Sequence, residues 1–204
     1  MSNNRGVQYK EEGGPMNNKI FLVGILSFLV LAFFVFASRA YLQNTPSDSA
    51  KKTREALKLR NENDLQGAIK IMKEVLASEP KNVGAMAFLA EFYKAGGDTV
   101  TSMKYVDEGL ALEPNNPLAL RTKGDLLLQL GKDKEAEGTF NKVVSLSQPK
   151  SGDRIWANYG LSCVYLKQGL KDKAKESLKK AIEDNPTNAF FAKKLTELES
   201  GSAK

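Results

Sequence analysis

There is no histidine in this chain of 204 residues, and only one cysteine, Cys163, and one tryptophan, Trp156. Without histidine, the usual zinc-ligand spacings, a Ser-His-Asp or Cys-His nucleophile and a C-x-x-C-H haem attachment are all excluded. A single thiol makes no internal disulfide, so cysteine usage fits either side of a membrane and leaves the compartment to other features. An excess of one charge is also missing: the net charge is a modest +6, and the lysines are scattered among glutamates and aspartates instead of forming a run. Nucleic-acid binding draws on a concentrated basic stripe with a reading element beside it, and neither is found. No motif cradles a phosphate or pairs an acid with a base. No catalytic residue, cofactor or metal is therefore expected, and carboxylates such as Glu91 and Asp125 have no catalytic setting. With 42% hydrophobic and 26% charged residues, the composition suits one main domain and a short appendage.

What the chain does have, first, is one long apolar run. From Ile20 to Ala37 it reads IFLVGILSFLVLAFFVFA, free of charge and bracketed by Lys19 and Arg39. As a helix this is about 27 Å long, close to a hydrocarbon core of about 30 Å. A cleaved secretory signal is the alternative, since Val35-Phe36-Ala37 offers small residues near a cleavage point. The run exceeds the usual apolar stretch of a signal, about 7–15 residues, and this favours an uncleaved anchor over residues 20–38. A polar tail, residues 1–19, precedes it, and a linker broken by Pro46, residues 39–50, follows. Arg5, Lys10 and Lys19 on the short tail count fully in setting orientation, whereas a long folded domain crosses despite its charge. The expectation is a single-pass protein of the inner membrane with its N-terminus in the cytoplasm. The C-terminal domain would then lie in the periplasm of a Gram-negative source.

Beyond the linker the chain repeats itself. Pro80 follows VLASE, Pro114 follows GLALE, and the two prolines are 34 residues apart. Aligned on them, Ala68, Ser102, Ala136 and Ala174 share one position, and Met72, Val106, Phe140 and Leu178 share another four residues later. Each unit splits into two apolar-periodic segments, such as PLALRTKGDLLLQL and KEAEGTFNKVVSL, separated by Gly131-Lys132-Asp133. Glycine ends the first helix without a Cβ penalty, and Asp133 is expected to cap the next by accepting backbone N–H bonds. Each unit is thus predicted to be an antiparallel helix pair. Small residues (Ala90, Gly124, Gly160 and Ser162) mark close backbone approach on the first helices. Four units span about 49–82, 83–116, 117–150 and 155–188, the last displaced by an insertion around SGDR, and the segment at 188–200 reads as a C-terminal cap.

These residues, at this period, resemble the tetratricopeptide repeat. The resemblance implies an all-α fold over residues 51–200: a right-handed superhelical solenoid of four helix pairs plus a capping helix, preceded here by one transmembrane helix. It also implies a concave groove lined by first helices. Carried onto this chain, the groove positions are Thr53, Leu57 and Arg60; Ala87, Glu91 and Lys94; Leu118, Arg121, Asp125 and Leu128; then Trp156, Tyr159, Cys163 and Leu166. The clamp of lysines and asparagines by which some family members hold a carboxylate is missing, its places being taken by Thr53, Leu57, Ala87 and Glu91.

Trp156, Tyr159, Cys163 and Leu166 lie three or four residues apart, on one helical face. That face either points into the groove or packs locally, against the SGDR region or under the cap helix. Cys163 reads as a small buried apolar residue, since no histidine is present to activate it. The expected binding residues are Leu118, Arg121, Asp125, Leu128, Trp156, Tyr159 and Leu166. Aromatic and aliphatic anchors suit an amphipathic helix or an extended apolar peptide, and Arg121 and Lys167 would favour acidic character weakly. The layout resembles anchored tetratricopeptide subunits that assist cytochrome c maturation, and others that accompany secretion or pilus machines. The function expected is a membrane-anchored, non-enzymatic adaptor holding a protein or peptide partner. The alternative is a scaffold subunit with an empty groove.

Overall fold

The computed structural model describes residues 47–201. The polar tail, the apolar run at 20–38 and most of the linker lie outside the described residues. Among the described residues there are nine helices and no strand: α1 Asp48–Asn61, α2 Leu65–Ser78, α3 Val83–Ala95, α4 Thr99–Leu112, α5 Pro117–Gln129, α6 Asp133–Leu146, α7 Gly152–Lys167, α8 Lys171–Asp184 and α9 Ala189–Glu199. None of these is long and apolar enough to cross a membrane. The tightest packing falls within the pairs α1/α2, α3/α4, α5/α6 and α7/α8, and neighbouring pairs then join through α2/α3, α4/α5 and α6/α7. First helices also touch each other, α3 on α5 and α5 on α7. Helix α9 closes the array against α8.

The turns inside each pair have a common chemistry. Asn63, Gly97, Gly131 and Gly169 end the first helices with positive φ, from 66° to 83°. Three are glycine, which takes that conformation without strain, and the fourth is asparagine, the side chain that tolerates it best. Asp64 and Asp98 then cap α2 and α4, accepting from the amides of Gly67 and Thr101, each at 2.9 Å. The expected cap by Asp133 does not form. The residue in the capping place is Lys132, without a side-chain bond, and Asp133 is already the first helical residue. Its carboxylate pairs with Lys167 at 3.3 Å, where it also sits favourably at the positive end of the helix.

The residues aligned by the repeat form the core. Ala68, Ala136 and Ala174 are fully buried where paired backbones meet, and Ser102 takes the same place by donating its hydroxyl to the Ala90 carbonyl at 2.6 Å. Met72, Val106, Phe140 and Leu178 fill the space behind them, each buried side chain contributing about 1.5–3 kcal/mol. The SGDR insertion is not a loop. Ser151 caps α7 by accepting from the Arg154 amide, so Gly152, Asp153 and Arg154 form an added helical turn ahead of the residue 155 boundary read from the repeat. Asp184 fastens that turn, accepting from the Lys150 amide at 3.1 Å and the Arg154 guanidinium at 3.0 Å.

Candidate functional site

Four first helices contribute side chains to one cavity of about 330 Å³. Arg60 comes from α1, Glu91 and Lys94 from α3, Arg121 and Asp125 from α5, and Trp156 and Tyr159 from α7. One wall is an ionic ladder. Arg60 donates to Glu91 at 3.5 Å, and Arg121 donates to the other oxygen of Glu91 at 3.4 Å and to Asp153 at 3.2 Å. Arg121 also faces Asp125 at 3.7 Å, and Lys94 pairs with the same carboxylate. Signs alternate along Arg60, Glu91, Arg121 and Asp153, one residue per first helix. Arg121 is the centre, its side chain only 11% exposed. A guanidinium suits this position because its planar fork serves several carboxylates at once.

The opposite end is aromatic. Trp156 meets Tyr159 edge-on with ring centres 5.8 Å apart, and both rings meet Phe190 and Phe191 of the capping helix at 5.2–6.0 Å. Such edge-to-face pairs add about 0.5–1.5 kcal/mol beyond the area they bury. The four rings are not equivalent: Phe191 is fully buried, whereas Trp156 is 43% and Phe190 40% exposed. The two readings of Trp156 therefore meet in one residue, which lines the cavity and also packs under the cap. Burial, first of all, pushes the Tyr159 hydroxyl up to about 12, with smaller contributions from Cys163 and nearby carboxylates. Burial also pushes the Cys163 thiol up, so it stays a neutral, half-buried filler beneath Tyr159.

Of the seven expected binding residues, Arg121, Asp125, Trp156 and Tyr159 come together at the cavity. Leu128 packs on the core between α5, α6 and α7, and its carbonyl accepts from Lys167 at 2.9 Å. Leu166 packs on the core shared by α7, α8 and α9. Leu118 is half-buried and does not line the cavity. Ala87, read as a groove position, is fully buried. Sequence reasoning misses Asp153 and Phe190. An acidic residue 32 positions after Arg121, continuing the alternation of Arg60, Glu91 and Arg121, is the available signal for the first, and the Phe190-Phe191 pair at the start of the cap for the second.

Residues 59–110 match one family model described as tetratricopeptide repeat, and residues 157–188 match another. Tetratricopeptide repeats are thus found over these two stretches. Between the two matched stretches, α5 and α6 supply the same helix pair. A TPR repeat-containing protein of Methanocaldococcus jannaschii is 24% identical over 199 residues, covering 86% of this chain and 33% of its own. The chain thus spans about a third of that relative's length. PilW, a widely conserved type IV pilus biogenesis factor, superposes with a TM-score of 0.66 at 22% identity, over 76% of this chain and 70% of its own. A thermophilic TPR protein of Thermus thermophilus superposes with a TM-score of 0.65 at 18% identity, over 87% of this chain and 96% of its own. At such identities these likenesses show the solenoid fold.

Proposed function

We propose that this chain is a protein-interaction module that holds a protein or peptide partner on the face built by its first helices. The observation that carries the reading is the convergence of α1, α3, α5 and α7 on one cavity with an exposed aromatic end. Tryptophan, tyrosine and arginine are the side chains on which binding energy concentrates, and Arg60, Arg121, Trp156 and Tyr159 all line this cavity. The repeats stand next to a membrane, held by the span at 20–38 with the polar tail in the cytoplasm and the solenoid on the far side. The charge-free length of that run supports the span, and Arg5, Lys10 and Lys19 on the short tail support its orientation. The fold shared with a type IV pilus biogenesis factor is a reason to look for the partner first among envelope assemblies.

The test is quantitative capture of partners on full-length wild-type protein and on Trp156→Ala, side by side. The expected loss is about 2 kcal/mol of affinity, near thirtyfold. Equal recovery by both would favour a scaffold role through another face. Resistance to carbonate extraction, with detergent releasing the full-length chain, is the expected result for the anchor. A soluble form beginning near Ser38 would mean cleavage instead.

A further inference from the structure

We infer that the partner presents an uncharged segment bearing one large apolar or aromatic side chain, and that the capping helix α9 forms part of the binding site through Phe190. The inference rests on the functional reading above and specifies its ligand. Three observations carry it.

The ionic wall is already neutral within itself. Arg60, Lys94 and Arg121 stand against Glu91, Asp125 and Asp153, and each cation has a carboxylate within 3.5 Å. A charged ligand entering here competes with pairs that are already made, and its gain is reduced by what it displaces. An uncharged segment meets no such penalty, and its amides can bond to the outer lone pairs of the carboxylates. The wall thus discriminates against both signs.

The aromatic end is the unsaturated part. Trp156 and Phe190 keep 43% and 40% of their surface exposed although they touch each other at 6.0 Å and both rest on Phe191. Tyr159, 5.2 Å from Phe190, completes a step between cavity and cap. A side chain laid on that step removes apolar surface of three rings from water at once. Phe190 is not part of the buried core between α8 and α9, to which α9 contributes Phe191 and Leu198 with Leu195 packed against them, so its ring is left to the surface step.

The size limits the occupant. About 330 Å³ is at the bottom of the range for small-molecule pockets, about 300–1,000 Å³, and the cavity opens to solvent at Trp156. It accommodates one or two side chains of a peptide, with the rest of the chain outside.

The experiment is selection of random 12-residue peptides displayed on phage against the full-length protein in nanodiscs. The strongest binders are then synthesised and titrated against wild type, Trp156→Ala and Phe190→Ala. Trp156 is the sole tryptophan, so its emission reports binding to wild type and Phe190→Ala when the peptides contain none, and calorimetry measures binding to Trp156→Ala. The expected winners carry Phe, Trp, Leu or Met and no net charge. Their affinity should fall at least tenfold in both variants, and should change less than about threefold between low and high salt, because no uncompensated ion pair is screened. Both variants are checked for wild-type helicity, and Phe190→Ala stands alone if Trp156→Ala does not fold. Winners rich in acidic or basic residues that still depend on Trp156 would overturn the ligand class while leaving the binding face intact. Apolar winners indifferent to Phe190→Ala would overturn the role of α9. Absence of any Trp156-dependent binder would overturn the inference together with the reading beneath it.

Discussion

The ring of Phe140 occupies the space beside Gly160 so closely that a Cβ there would lie 2.5 Å from Cζ. On its other side the same ring would meet a Cβ on Gly124 at 2.6 Å. One fully buried phenylalanine of α6 is thus held between glycines of its own first helix, α5, and of the next unit's first helix, α7. Stacking of the third unit on the fourth depends on those two missing methyl groups.

Gly160→Ala and Gly124→Ala should each therefore destabilise the solenoid. Alanine gains about 0.8–1 kcal/mol in helix propensity, but displacing a buried ring costs about 1–3 kcal/mol, and contact with three ring atoms below 3 Å places both sites at the upper end. Urea unfolding followed by circular dichroism measures this. In a Phe140→Leu background the Gly160→Ala cost should shrink, giving a clear coupling in a double-mutant cycle.

The ionic ladder yields a second expectation. Arg121→Met leaves Glu91, Asp125 and Asp153 without the cation they share, in a site where Arg121 and Glu91 are mostly shielded from solvent. Removing one partner of a fully buried pair costs about 3–5 kcal/mol and of an exposed one about 0–1, so an intermediate loss of about 1–2 kcal/mol is expected. Arg121→Lys should recover little of it, because an ammonium cannot reach three carboxylates with fixed geometry. Denaturant midpoints of the three proteins decide the matter.

The two phenylalanines of the cap should separate cleanly. Phe191→Ala empties a fully buried site and should cost about 3–5 kcal/mol of stability. Phe190→Ala, at a ring 40% exposed, should cost less than about 1.5 kcal/mol, the worth of its aromatic contacts. Deleting residues 188–204 should lower the melting temperature further than an ordinary tail deletion, since it bares Leu178 and Ala181. Thermal melts that rank the two substitutions in the reverse order would break this assignment of roles.

Alkali gives a fourth test. Tyr159 holds its proton up to about 12 in the fold, above its ordinary value of 10.0. Between those two values the unfolded chain has released the proton and the folded chain has not, so deprotonation favours unfolding. The contribution is fully present below pH 10 and disappears as pH rises towards 12. Stability of the wild type should fall more steeply over that window than stability of Tyr159→Phe. In the difference absorbance spectrum of the two proteins, the missing tyrosinate signal should appear late in the titration.

Most of the architecture is legible in the sequence because the repeat repeats its chemistry. Pro80 and Pro114, the buried alanines and the helix-ending glycines recur at the repeat spacing, shifted only by the insertion before the fourth unit, each for a local reason that tertiary context does not override. The ladder is harder to see because its members are 30–32 residues apart instead of 34, each contact stepping back about one helical turn or more on the next helix. Asp153 is hidden further because it lies in the insertion, ahead of the start of the fourth unit read from the repeat. Asp133 misleads for the opposite reason: an aspartate stands one place late, and Lys132 takes the capping position. Leu128 and Leu166 fit the groove periodicity but also fit the core, and periodicity alone does not separate two adjacent faces of one helix. Phe190 lies outside the repeat altogether.

The central claim is that a partner is held on the first-helix face, and photo-crosslinking in living cells addresses it most directly. Benzoylphenylalanine is placed at position 156, on the cavity, or at position 104, where Lys104 is 70% exposed on α4 outside it. Irradiation should give a discrete protein adduct from position 156 and none from position 104. Adducts formed from position 104 alone would contradict the account and move the working surface to the second helices.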